Sequence, residues 1–212
     1  AADAASPQVR EVATAGGNLL QRPRCWYFRS KEFHCLKKGG AQCYAVDGEN
    51  RYHALFGGGP CYIVHPSNLA PVVVAGGAEI KAKSPKAERT ITADEFFAMP
   101  YESLYAENVL EEDELLTAIV FPKLPEKSAF ISMKERQGYD WPIASCAAVF
   151  RDGKWNVVLG HVAQIPKRAE AAEEVLGSTK DIGEDLAMKA AEAAVEDAEP
   201  MSQNAWRLKL AK

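Results

Sequence analysis

The chain has 212 residues, 47% of them apolar and 25% charged, with a net charge of −4. These values describe a globular chain of one ordinary domain or two small ones, and they exclude disorder. The acidic balance argues against a phosphate-binding surface for nucleic acid, and no apolar run approaches the length of a membrane span.

Residues 1–17 lack the basic region and apolar core of a secretory signal. With no Met at the start and Gly16-Gly17 soon after, the sequence reads as the later part of something longer. Turn signals are dense up to about residue 80: Gly16-Gly17, Gly39-Gly40, Asp47-Gly48 and Gly57-Gly58-Gly59. Val72-Val73-Val74 fits either a short strand or the end of a buried helix. Strand-like runs follow at Arg89–Thr92 and Leu115–Phe121. Thr92 and Glu95 predict a capping box for a short helix starting at Ala93. Eight acidic residues and no basic one lie between Asp94 and Glu114, as on a solvated face.

Pro122 and Pro125 mark a boundary that divides the chain at 1–124 and 125–212. Three strands are predicted beyond it, at Ala129–Lys134, Ala144–Phe150 and Trp155–Val162, with a hairpin turn at Asp152-Gly153. Helices are predicted at Ala169–Leu176 and Ile182–Ala198, the second burying Ile182, Leu186, Ala190 and Ala193 or Ala194. The class is α+β: a three-stranded antiparallel sheet with a helical tail packed on it.

Five cysteines are an odd count, and four fall within 37 residues as Cys25-x9-Cys35-x7-Cys43-x17-Cys61. Cys146 sits in the apolar run Ile143–Phe150 and is expected to be a core residue. The quartet lacks the close C-x₂₋₄-C pairs of a zinc site. Four thiolates on separate loops suit an iron–sulfur cube with one cysteine per iron, and Gly39, Gly40, Gly57, Gly58 and Gly59 would let backbone approach such a core. Arg22, Arg24, Arg29, Lys31, Lys37 and Lys38 surround the quartet against Glu32 alone, which would offset the negative charge of a thiolate-bound cluster. Zinc, two disulfides or plain reduced thiols remain open from the spacing. His34, His53 and His65 could replace a ligand, though hydrogen-bonding structural roles are the expectation.

The runs Ala5-Ser6-Pro7-Gln8-Val9-Arg10 and Ala13-Thr14-Ala15-Gly16-Gly17-Asn18-Leu19-Leu20-Gln21-Arg22-Pro23-Arg24-Cys25 resemble the FAD-binding medium subunits of the molybdenum hydroxylases, the xanthine dehydrogenase and carbon monoxide dehydrogenase family. His65-Pro66-Ser67-Asn68-Leu69-Ala70-Pro71 fits the same family, which usually has Asp where this chain has Asn68. Pro200-Met201-Ser202-Gln203-Asn204-Ala205-Trp206-Arg207 resembles the last helix of its C-terminal domain. The quartet resembles the branch of the periplasmic aldehyde oxidoreductases, whose medium subunits hold a [4Fe–4S] cluster beside the flavin.

The resemblance implies a [4Fe–4S] cluster on Cys25, Cys35, Cys43 and Cys61, and FAD near Thr14, Ala15, Gly16, Gly17 and Asn18, with Lys134 close to the isoalloxazine. It implies the second half of a PCMH-type FAD-binding domain over 1–124, with an iron–sulfur loop at 25–61, then a small C-terminal α+β domain over 125–212. The N-terminal FAD subdomain of the family would precede Ala1, as further sequence or as another chain. The expected role is electron transfer within a hetero-oligomer containing a large molybdopterin subunit and a small [2Fe–2S] subunit. The expected compartment is the cytoplasm, or the periplasm through export with a partner. No residue reads as a substrate-level acid, base or nucleophile. A cofactor-poor structural module with a stabilising metal site is the competing reading.

Overall fold

The computed structural model describes residues 2, 4–136 and 138–212. The turn-rich first third forms only short helices, because its glycines and prolines interrupt every run. They are α1 (Pro7–Val12), α2 (Ala15–Leu19) and α3 (Trp26–Arg29), followed by a single 3₁₀ turn at Leu36–Lys38. Ser6 caps α1 by accepting the Val9 N–H at 3.3 Å. The ambiguous valine run is helical: α4 (Ala70–Ala75) starts with Pro71 in its first turn and is buried along most of its length.

The first sheet has the order β2-β1-β3, all antiparallel, built from β1 (Glu79–Lys83), β2 (Glu88–Thr92) and β3 (Leu115–Val120). Helix α5 (Ala93–Phe96) begins at the expected residue. The Thr92 hydroxyl donates to the Glu95 carboxylate at 2.7 Å instead of accepting a backbone N–H, so the capping box closes between side chains.

The second sheet carries all three predicted strands: β4 (Lys127–Met133), β5 (Ala144–Arg151) and β6 (Lys154–Gly160). A two-residue strand, β7 (Lys167–Arg168), adds a fourth by pairing with Val158 and Leu159. It is too short to carry an alternation signal. Asp152 and Gly153 both take positive φ at the β5–β6 turn, as a two-residue hairpin requires. The tail is α6 (Glu170–Leu176), α7 (Glu184–Ala193), a 3₁₀ turn at Ala205–Arg207 and α8 (Leu208–Ala211). Helix α7 is shorter than expected, starting after Gly183 and leaving Ile182 exposed, while Leu186, Ala190 and Ala194 face inward.

Strand alternation places β5 and β6 between two cores. Ala144, Phe150, Trp155, Val157 and Leu159 face the helical tail, together with Leu55 and Phe56 from the cysteine-bearing segment. Ala147, Val149 and Val158 face the other way, toward α4 and the first sheet. Cys146 falls on the tail-facing side, half-buried, and desolvation pushes its thiol up to about 11. Among the described residues, no helix is long and apolar enough to cross a membrane.

Candidate cofactor sites

The four cysteines of the quartet meet. Cys25 precedes α3, Cys35 precedes the 3₁₀ turn, Cys43 lies in the turn beyond it, and Cys61 follows the triple glycine. All four line one small cavity of about 10 Å³, walled by Tyr27, Phe28, Tyr44 and Ile63. Cys35 and Cys61 are buried, Cys25 and Cys43 half-buried, and all are free of disulfides. The backbone N–H groups of Tyr27 and Phe28 face the Cys25 sulfur, without closing a capping hydrogen bond; those of Ala45, Val46 and Tyr62 face Cys43. Such dipoles favour a thiolate.

Electrostatics divides the set. Burial pushes Cys25 up to about 11. The two neighbouring thiols Cys43 and Cys61 share one charge, so Cys43 is pulled down and its partner Cys61 pushed up, with burial adding to the rise. Among the described residues, no three or more His, Cys, Asp or Glu side chains close on one point as ligands of a single ion.

The surroundings correct two expectations. The glycines do not line the cavity. Gly40 is required by the loop itself, since a Cβ there would sit 1.8 Å from the His34 carbonyl oxygen. Of the basic residues, Lys37 is buried and committed: its ammonium lies 2.8 Å from the buried Glu107 carboxylate and donates to the Leu104 carbonyl at 2.7 Å. Arg22 completes that cluster at 2.6 Å from Glu107. Arg24 stacks over Trp141, 4.4 Å from the ring centroid. The net positive field at the quartet is therefore smaller than the residue count implies, although the Lys37 charge still favours the Cys61 thiolate.

The histidines part ways. His34 is exposed. His65 is buried edge-on to Phe97 and accepts the Ser67 N–H at 3.4 Å, a structural role. His53 lies against the quartet, Nε2 to Cys25 Sγ 3.2 Å.

The segment expected at the flavin forms α2 and its cap. Thr14 Oγ1 accepts the Gly17 N–H at 2.9 Å, while Thr14, Ala15 and Gly17 remain exposed and Gly16 rests near Leu116. Asn18 Oδ1 accepts from the Ser67 hydroxyl at 2.8 Å and the Leu69 N–H at 3.3 Å. That oxygen is thus occupied by the His65–Pro71 segment, and only the amide nitrogen of Asn18 is left for a ligand. Lys134 lies just beyond β4, half-buried, and its charge helps depress His161. His161 Nε2 lies 3.3 Å from the Pro66 carbonyl, and the next residue, Ser67, bonds Asn18.

A larger cavity, about 270 Å³, escapes sequence reasoning. It lies between α3, residues 64–66 and the β4–β5 connection, and is lined by Trp26, Tyr52, His53, Trp141, His161 and Arg207. Tyr52 donates to Glu135 across its rim. Beneath it, Arg207 is 1% exposed and donates to the carbonyls of His53, Ile143 and His161, each at 2.5 Å. Its contributors span residues 24–207, so no local motif announces it.

The frame is a mixed α/β one of two antiparallel sheets, with the glycines of α2 near the surface and four thiols lining one cavity. Residues 1–124 match the family described as FAD binding domain in molybdopterin dehydrogenase. The chain belongs to this family, the FAD-binding subunits of the molybdenum hydroxylases.

It is 34% identical over 213 residues to the aldehyde oxidoreductase FAD-binding subunit PaoB of Escherichia coli K12, covering 98% of this chain and 65% of that protein. It is 31% identical over 145 residues to the carbon monoxide dehydrogenase medium chain of Hydrogenophaga pseudoflava, covering 64% and 48%. The fold is similar to the solved carbon monoxide dehydrogenase of that organism that lacks the Mo-pyranopterin moiety, with TM-score 0.65, 24% identity, and coverage of 99% of this chain and 60% of that one. Quinoline 2-oxidoreductase from Pseudomonas putida 86 gives TM-score 0.65 at 22% identity, with the same coverage. The matched part therefore spans between 48% and 65% of the length of these relatives.

Proposed function

We propose that this chain is the electron-transfer part of a molybdenum hydroxylase, carrying a [4Fe–4S] cluster on Cys25, Cys35, Cys43 and Cys61 beside FAD. The observation that carries the reading is the convergence of four cysteines from four separate segments on one cavity. A single zinc ion needs its thiolates roughly 4 Å apart around one point, as metal–sulfur bonds of about 2.3 Å dictate. The quartet lacks the close C-x₂₋₄-C pairs that bring two thiolates onto one ion in that way. A cluster has one thiolate per iron and spreads its ligands around a bulky core, which suits thiols arriving from different loops.

FAD, when bound, accepts electron pairs and passes them on singly or together. This chain's part is positional. Thr14, Ala15, Gly16, Gly17 and Asn18, the cap and first turn of α2, would lie against the flavin, and Lys134 would bring a cation near its ring. The substrate is oxidised elsewhere, on a molybdopterin subunit, and a [2Fe–2S] subunit delivers the electrons. The relationship to an aldehyde oxidoreductase subunit favours an aldehyde substrate. The same reading places residues 1–124 in a PCMH-type FAD-binding domain and 125–212 in its C-terminal α+β partner.

The test is iron, sulfide and flavin analysis of the purified complex, repeated for single Cys→Ser variants. Cys25→Ser, Cys35→Ser, Cys43→Ser and Cys61→Ser should each lose most of the cluster iron, because a hydroxyl is a poor substitute for thiolate on iron. Cys146→Ser should keep it. Iron unchanged in all four quartet variants, or one zinc in place of iron and sulfide, defeats the cluster reading.

A further inference from the structure

His53 stands at the one corner of the quartet that also faces the large cavity: Cys25 and His53 line both spaces. The imidazole is 2% exposed, and its Nε2 lies 3.2 Å from Cys25 Sγ. Nδ1 has no hydrogen-bond partner among the described residues. A neutral imidazole has one N–H to place, and the sulfur is the polar atom within its reach.

The ring is held there from several directions. The His53 N–H donates to the Asn50 carbonyl at 3.0 Å. The His53 carbonyl receives the Asn204 amide and the Arg207 guanidinium. Trp26 and Tyr27 pack against the imidazole at centroid distances of 5.1 and 6.1 Å. Two distant parts of the chain, 26–27 and 204–207, are thus spent on the placement of one buried ring.

We propose that His53 is a positioning residue that donates Nε2–H to the Cys25 thiolate and raises the reduction potential of the cluster at the corner facing the large cavity. The inference rests on the cluster reading above. Its physics is that adding an electron makes the cluster and its thiolates more negative, so a donor aimed at sulfur is worth more after reduction than before. Fixed donors that touch a ligand atom tune metal centres in this way. The consequence is directional: the corner nearest the cavity is the one where added charge is best stabilised.

The experiment is a redox titration of the purified complex followed by electron paramagnetic resonance, with iron and sulfide counted in each sample. His53→Phe keeps a ring in the packing and removes the donor, whereas His53→Gln keeps an N–H. The expected result is full iron in both, a clearly more negative cluster potential in His53→Phe, and a potential near wild type in His53→Gln. A wild-type potential in iron-replete His53→Phe overturns the inference, as does an equal shift in both variants. If His53→Phe loses its iron, His53→Gln decides. Full iron at a near-wild-type potential upholds the donor role, and an empty or strongly shifted His53→Gln overturns it. Wild-type complex without this cluster overturns the reading of the quartet itself, an outcome distinct from an unmoved potential.

Discussion

The cysteine-bearing segment 25–61 and the sheet β4–β7 are held by different physics. The sheet satisfies its backbone through continuous ladders and buries alternate side chains in two cores. The segment has one short helix and one 3₁₀ turn, so its carbonyls must find partners elsewhere. Long polar side chains supply them. Lys38 reaches Ser30, Asn50 reaches Ala45, Gln164 reaches Gly58 and Cys61, and Asn204 and Arg207 come from the far end of the chain to His53. Apolar anchoring comes chiefly from Leu55 and Phe56 in the tail-facing core. The lesson is that an irregular loop around a cofactor concentrates its stability in a few pins, while a sheet distributes it.

The sharpest way to break this contrast is Arg207→Ala. It strips three buried carbonyls of a charged donor and should cost about 4 kcal/mol. Hydrogen exchange should show the loss first in residues 45–56, ahead of β5 and β6. Uniform loosening of the sheet would mean that Arg207 is not a local pin. Next comes Leu159→Ala in the sheet, expected to lower stability by about 3 kcal/mol through lost burial and a cavity. Urea unfolding should show one cooperative shift, with quartet iron retained in the folded protein; selective iron loss would contradict the division of labour.

The seam between the two regions is pH-sensitive. Burial pushes His161 down to about 4 and His65 down to about 3, so both are neutral in the folded protein. The unfolded chain binds their protons below about pH 6.5, so their stabilisation is complete above that pH and falls as the pH drops toward 4. At pH 5 each should cost about 2 kcal/mol relative to pH 7. Urea midpoints across this range should decline, and His161→Gln should flatten the slope. A midpoint independent of pH would show that the seam opens before the sheet unfolds.

The smallest effect belongs to the β5–β6 turn. Gly153→Ala meets no atom within 4 Å but forces φ +77° on alanine. About 1 kcal/mol should be lost, read as a small drop in melting temperature with the quartet untouched. A larger loss would indicate that the hairpin also supports the loop.

Much of the sheet was legible in the sequence because its signals are local. Alternation marked β4, β5 and β6, and Asp152-Gly153 marked the turn between them. The quartet was legible as a candidate through its spacing, whereas the turn signal Gly16-Gly17 lies inside helix α2, capped by Thr14. Other features were not. Val72–Val74 became helix because α4 packs its buried face on β5 and β6, a context that a three-residue run does not carry. Asn18 turned part of its polar capacity toward Ser67, 49 positions away.

By itself the sequence determined which residues alternate, where the chain turns and how many thiols could meet. Tertiary structure alone decided that the thiols do meet, that Lys37 pairs with Glu107, that His53 rather than His34 or His65 touches a cysteine, and that Arg207 lies beneath the large cavity. The physical reason is separation along the chain. Periodicity and turn chemistry act over a few residues and leave a local trace, whereas buried charge, hydrogen bonding and cavity walls are set by partners up to 154 positions apart.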